Sequence, residues 1–339
     1  MQAQPEGTLQ RVIPTDGALL TERESTACQA LLSKGSKSFA AAALLLPRHM
    51  RQPAAALYAF CRVADDAVDD AEDPREGLAL MRRRVAQAYA GTPDDDPVDT
   101  AFARVVQAYA IPQAVPEALL EGFAWDAEGK VYETLSDVRA YGVRVASTVG
   151  VMMTLLMGQR DPEVLARACD LGVAMQLTNI ARDVGEDAGM GRIYLPRAWM
   201  RERGLDPENW LASPTFSPEI ASMVSALLDE AAVLYRRSRA GITALPRDCR
   251  LAIRAAELIY ADIGRVIRRR GHDSVSGRAY TSKARKLWLL ARASTAALWW
   301  RRACDAPPLE EAKILIEPMI PEDAALHPAT LARAEAGVR

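Results

Sequence analysis

The sequence predicts an all-α fold built as one helical bundle. Half of the 339 residues are hydrophobic, with Ala and Leu dominating, and both are strong helix formers. Apolar positions recur at helical spacing, whereas runs of Val, Ile, Thr and aromatic residues that would mark strands are scarce. No linker divides the chain, so one all-helical domain is expected over residues 21–304. It lies between a loose N-terminal tail (1–20) and a Pro-rich C-terminal tail (305–339).

Taken in order, residues 1–20 lack periodicity and carry Pro5, Gly7, Pro14 and Gly17, which suits a tail. Helices are expected over residues 21–34 and 36–46. Pro47 and Pro53 bracket a short turn, and residues 54–72 then run without a breaker until Asp73-Pro74. Further helices are expected over 75–90, 97–109, 116–130 and 135–157, with a surface loop from Gly91-Thr92-Pro93 to Pro97. Pro162 opens a long helix to about Val184, beyond which Gly185, Gly189 and Gly191 unwind the chain. After a variable, Pro- and Ser-rich stretch at 207–218, helices resume over 219–241, 248–270 and 282–302.

Composition excludes several function classes. The formal net charge is −2 with acids and bases interleaved, so there is no electrostatic footprint for nucleic acid. Cys28, Cys61, Cys169, Cys249 and Cys304 are odd in number and scattered, which suits free thiols in a reducing compartment. His49, His272 and His327 are far apart in the chain, so a metal would be bound through oxygen. The N-terminal residues lack a basic region followed by an apolar core, so export is not expected and a cytoplasmic location is. The longest apolar run, residues 145–157, is shorter than the ~20 residues of a spanning helix and should be a buried core helix. Residues 283–302 mix Lys283, Arg285, Lys286, Arg292, Arg301 and Arg302 with Leu287, Trp288, Trp299 and Trp300. That composition can suit a helix lying on a bilayer, and suits a core-packed helix with snorkelling cations somewhat better.

Two acidic clusters carry the chemistry. Asp65 and Asp69, and again Asp183 and Asp187, are four residues apart in otherwise apolar helices. At that spacing carboxylates lie one above the other, with roughly 5–6 Å between Cβ atoms, and can grip a divalent cation. Mg²⁺ takes oxygen ligands and leaves positions for phosphate oxygens, so the pattern points to a metal-bound diphosphate, with Mn²⁺ as the other candidate ion. Tyr58, Arg62, Asp65, Asp69 and Glu72 form one stripe. Gln176, Asn179, Asp183 and Asp187 form a second, with Arg182 beside Asp183. The amides offer neutral groups to the metal shell or the diphosphate, and the guanidinium matches phosphate oxygens. The glycines after the second cluster follow a helix rather than a strand, so they fit a flap better than a dinucleotide loop, and Arg192 and Tyr194 could close over the diphosphate. Phe39, Tyr58, Tyr141 and Tyr260 are candidates to face a carbocation in a dry pocket.

Tyr58-Ala59-Phe60-Cys61-Arg62 running into Asp65-Asp66-Ala67-Val68-Asp69, and Gln176 through Asn179, Arg182 and Asp183 to Asp187, resemble the phytoene and squalene synthase family. Ser36-Lys37-Ser38-Phe39, Tyr141 with the run from Val145 to Gly150, and Gly191-Arg192-Ile193-Tyr194-Leu195-Pro196 support the resemblance, which extends from about residue 30 to 290. It implies an isoprenoid synthase bundle with a central apolar cavity. It also implies head-to-head joining of two prenyl diphosphates through a cyclopropylcarbinyl diphosphate, at one Mg²⁺ site. By resemblance Asp65, Asp69, Asp183 and Asp187 hold the metals with Asn179, and Tyr58 and Arg62 belong to the catalytic set. Ser36, Phe39, Ala43, Arg62, Tyr141, Gln176, Asn179, Arg182, Tyr260, Arg278 and Lys283 contact substrate. One departure is Gly35, where relatives often carry His.

Ala43, one turn beyond Phe39, and Ala55, two turns before Arg62, are small and leave depth for a long tail. That favours C20 geranylgeranyl over C15 farnesyl diphosphate, with phytoene as product, inorganic diphosphate released and no NADPH expected. A squalene or dehydrosqualene synthase is the neighbouring alternative. A non-catalytic assembly factor with the same fold is the alternative from another class.

Overall fold

Repeated two-residue start signals set the helix order in the computed structural model, which describes residues 19–35, 42–69, 73–296 and 304–320. α1 (Glu22–Gly35) starts with a box in which the Glu24 backbone N–H donates to Thr21 Oγ1 (3.3 Å) and the Thr21 N–H donates to Glu24 (2.7 Å). α2 is Arg48–Asp69. α3 (Pro74–Ala90) and α4 (Pro97–Ala108) each begin with Asp then Pro: the acid accepts from the first-turn amides, and the proline takes a position that needs no N–H. α5 is Ala114–Ala127, and α6 (Leu135–Gly142) joins α7 (Thr148–Leu156) through a π-helical turn, Val143–Ser147. The Asp-Pro signal recurs at α8 (Pro162–Gly189) and α10 (Pro207–Ala212), and Ser217-Pro218 does the same work for α11 (Pro218–Ala244). α9 is Arg197–Glu202, α12 Arg247–Arg269, α13 Lys283–Ala296 and α14 Lys313–Ile316. Among the described residues there is no strand.

The long α8 is the axis of the bundle and packs along α11, with α12, α7 and the π turn against its other sides. At the π turn the two backbones nearly touch. A Cβ on Gly172 would lie 2.5 Å from Ser147 Cα, and Ser147 Oγ donates to the Cys169 carbonyl at 2.9 Å. A side chain at Gly172 would overpack this crossing at a cost of about 1–3 kcal/mol. On the opposite side α2 is pinned to α4 by the stacked rings of Phe60 and Phe102, 3.7 Å between centroids.

Four local expectations are corrected. Pro53 lies inside α2, because a proline in the second turn removes one backbone bond without ending the helix. Gly185 does not unwind α8. Its missing side chain admits the 274–275 loop, since a Cβ would sit 2.3 Å from the Val275 carbonyl oxygen, and its N–H donates to the Ser274 carbonyl. The variable stretch at 207–218 begins with α10. Residues 304–320 are packed rather than trailing: Leu309, Ala312, Leu315 and Ile316 are buried. Arg167 donates to Cys304 Sγ and the Ala306 carbonyl, and Arg237 to the Pro307 carbonyl. α13 buries Leu289 and Ala293 against α12 and leaves Leu287 and Trp288 exposed. Trp299 and Trp300 lie outside the described residues.

Candidate active site

α2, α5, the π turn, α7, α8, α11 and α12 wall a tunnel of about 680 Å³. α8 supplies an unbroken face to it: Val164, Ala168, Leu171, Met175, Asn179 and Arg182 follow at spacings of three and four. Most of the wall is apolar, and polarity gathers at one end, where Asp65, Asp69, Asn179 and Arg182 converge.

Tyr58, Arg62, Asp65 and Asp69 of α2 all face the tunnel, as the stripe predicts. Arg62 forks between Asp65 (3.1 Å) and Asp66 (3.1 Å). Burial, then repulsion from Asp69, pushes the Asp65 carboxyl up to about 6 against the pull of Arg62. Glu72 lies outside the described residues, as do Ser36 and Phe39. Gly35 is explained by Tyr58: a Cβ there would lie 2.0 Å from the Tyr58 hydroxyl, so a residue with a side chain would displace that phenol.

The second stripe is split. Gln176, Asn179 and Arg182 line the tunnel, with Asn179 Nδ2 donating to Gln176 Oε1 (3.3 Å), but Asp183 and Asp187 do not. Three residues on from Asn179 the helix has turned 60° short of a full circle and four residues on 40° past it; the tunnel takes the first direction and meets Arg182. Asp183 instead accepts a two-pronged contact from Arg182 (2.7 and 2.6 Å) and pairs with Arg278 at 2.9 Å. Arg278 also pairs with Glu186 at 2.9 Å. Burial and the neighbouring Asp183 push the Asp187 carboxyl up to about 7. Arg192, just past α8, crosses to Asp69 at 3.2 Å and so straps the two acidic helices together.

Of the remaining expected contacts, Ala43, Tyr141, Tyr260 and Arg278 line the tunnel. Lys283 is exposed at the start of α13 and is not part of the wall. Ala55 is buried but faces away; Ala54, one position earlier, takes the lining place. The sequence reading missed Asp126, near the end of α5, which lines the tunnel and accepts from Tyr141 (2.6 Å) and Tyr194 (2.7 Å). Asp126 has no acidic partner at helical spacing, so the pattern that marks the other acids passes over it.

The donor set suits a hard divalent cation in its chemistry. Oxygen donors predominate, Asp65 and Asp187 are raised by burial and then each by its own neighbouring carboxylate, and Asn179 Oδ1 is buried without a hydrogen-bond partner. Among the described residues no three carboxylates, histidines or cysteines stand close enough to form a closed cage. An ion bound here would take its remaining ligands from water or substrate oxygen.

An all-helical bundle around an apolar tunnel, crowned by paired acids and guanidiniums, defines the chain as an isoprenoid synthase. The squalene/phytoene synthase family model matches residues 32–285, and the chain belongs to that family. It is 51% identical over 282 residues to a phytoene synthase of Rhodobacter capsulatus, covering 82% of this chain and 83% of that one. It is 52% identical over 291 residues to a phytoene synthase of Cereibacter sphaeroides, covering 83% and 82%. Among solved structures, a dehydrosqualene synthase in complex with ligand superposes with a TM-score of 0.75 at 32% identity, covering 81% of this chain and 96% of that one.

Proposed function

We propose that this chain joins two geranylgeranyl diphosphates head to head, through the cyclopropylcarbinyl intermediate prephytoene diphosphate, to give phytoene. The observation that carries the reading is the depth of the tunnel. Its α8 wall runs from Asn179 at the acidic end to Val164, fifteen residues and about 22 Å away at helical rise. An extended C20 prenyl chain has sixteen carbons in line and spans roughly 20 Å, and a C15 chain roughly 15 Å, from C–C bonds of about 1.5 Å. The C20 tail uses the whole depth, and Ala43 in the wall leaves it clear. Identity above one half to two phytoene synthases supports the same substrate.

Asp65, Asp69, Asn179, Asp183 and Asp187 would hold Mg²⁺, which when bound neutralises the charge on the departing diphosphate. Arg62, Arg182 and Arg278 border the same space and orient phosphate oxygens through charge-assisted contacts. The apolar wall excludes water from the allylic cation, and Tyr58, Tyr141 and Tyr260 offer ring faces or phenol oxygens to it. Proton loss, rather than hydride transfer, ends the sequence, so no NADPH is required.

No described helix is long and apolar enough to cross a membrane. Trp288 stands exposed between Arg285 and Arg292, 4.1 and 5.5 Å from its ring, and with Leu287 this face would rest on the bilayer that receives an insoluble product.

The test is incubation of the purified chain and Mg²⁺ with geranylgeranyl or farnesyl diphosphate, each with and without NADPH, followed by product mass. A C40 hydrocarbon without NADPH is the expected result. A C30 product from farnesyl diphosphate alone overturns the substrate assignment, and no product with either overturns the enzyme reading.

A further inference from the structure

We propose that Asp126 is a positioning residue of the condensation assigned above: each of its carboxylate oxygens holds one phenol, so that Tyr141 and Tyr194 turn their O–H bonds away from the tunnel and present oxygen lone pairs to the allylic cation. The inference rests on the proposed reaction and adds a group to it. Oδ2 of Asp126 accepts from Tyr141 at 2.6 Å and Oδ1 from Tyr194 at 2.7 Å, which leaves neither phenol proton for the cavity. The two rings stack at 5.0 Å, Tyr132 closes behind them at 5.3 and 5.5 Å, and Tyr141 and Tyr194 are only 5% and 8% exposed. Asp126, Tyr141 and Tyr194 all line the tunnel.

A carboxylate here is costly on its own. Burial raises its pKa while the two phenols pull it down, and it repels Asp69; Asp65 and Asp187 also feel its charge. A neutral residue would avoid that repulsion but could not do the same job. An amide accepts from one phenol and donates to the other, which would turn one O–H toward the tunnel. Only a group that accepts at both ends fixes both phenols in the same sense. Fixed oxygen dipoles beside a developing charge stabilise it without reorganising at the moment of reaction.

The experiment uses the full chain with Mg²⁺ and geranylgeranyl diphosphate and measures kcat, KM and Tm for wild type, D126N, Y141F, D126N/Y141F and D126E. The expected result is a kcat about 10²-fold lower in D126N, with KM within about threefold of wild type. The loss in the double variant should be smaller than the product of the two single losses, because both changes remove the Tyr141 contact while only D126N also frees Tyr194. D126E keeps the charge but shifts it by about 1 Å and should also lose kcat, which keeps the test decisive if D126N fails to fold. Wild-type kcat in D126N or D126E, or losses that multiply in the double variant, overturns the inference. A wild-type chain that makes no C40 product instead overturns the reaction on which the inference stands.

Discussion

Asp65 and Asp183 open two acid pairs of identical spacing, yet their surroundings differ. The Asp65 side chain keeps 40% of its exposure and shares the single guanidinium of Arg62 with Asp66, whereas Asp183 keeps 14% and is held by both Arg182 and Arg278. On α2 two guanidiniums are spread over the acids, Arg62 between Asp65 and Asp66 and Arg192 on Asp69; at α8 two converge on Asp183. In the proposed reaction a cation meets the α2 acids, and a diphosphate meets Arg182 and Arg278, all of which line the tunnel. The same four-residue spacing thus puts one acid pair on the tunnel wall and leaves the other off it, with Asp183 paired to two tunnel-lining arginines.

The largest expected effect comes from removing both sides at once. D65A/D183A should lower kcat/KM for geranylgeranyl diphosphate by about 10⁴-fold or more, since metal and diphosphate both lose their anchors. Turnover near wild type in a folded double variant would break the comparison outright. The next effect is confined to the tunnel. A43F puts a ring into the wall and should cut geranylgeranyl turnover by about 10–100-fold while sparing farnesyl diphosphate, read as the ratio of C40 to C30 product. An unchanged ratio would mean that depth at Ala43 does not select the substrate. Third, R278M removes one of the two guanidiniums on Asp183 and should raise KM by about tenfold with kcat less affected. A loss in kcat alone would place Arg278 with the chemistry rather than with binding.

How far the sequence foretold these two acid pairs follows from what helical spacing encodes. The all-α bundle was legible because Ala- and Leu-rich composition and apolar periodicity act within a few residues. The α2 stripe was legible because Tyr58, Arg62, Asp65 and Asp69 lie on one straight helical face. The α8 stripe was legible in part: Gln176 and Asn179 line the tunnel, and the next lining residue is Arg182 rather than Asp183. Ala54 and Ala55 show the same limit: one residue of register decides which of two alanines meets the tunnel. Asp126 was invisible because its partners, Tyr141 and Tyr194, come from distant segments, and no local pattern records a contact made only by folding. The glycines carried information of the opposite sense. Gly185 reads as a breaker in sequence and acts as a notch for the 274–275 loop.

The smallest effect sharpens the comparison through pH. Asp65 is raised to about 6 and Asp187 to about 7, each from an ordinary 3.8, by burial and then by a neighbouring carboxylate. Between about pH 4 and 7 the folded metal-free protein therefore binds more protons at these sites than the unfolded chain does, and its unfolding free energy falls as pH rises through that window. Tm in the presence of a chelator should be higher at pH 5.5 than at pH 7.5 by a few degrees, and the difference should shrink in D65N/D187N, where neither group titrates. Mg²⁺ added at pH 7.5 should recover the loss in wild type by mass action and leave the double variant unmoved. Equal pH slopes in wild type and variant would show that the crowding of these acids does not strain the fold. Equal Mg²⁺ responses would place the ion elsewhere.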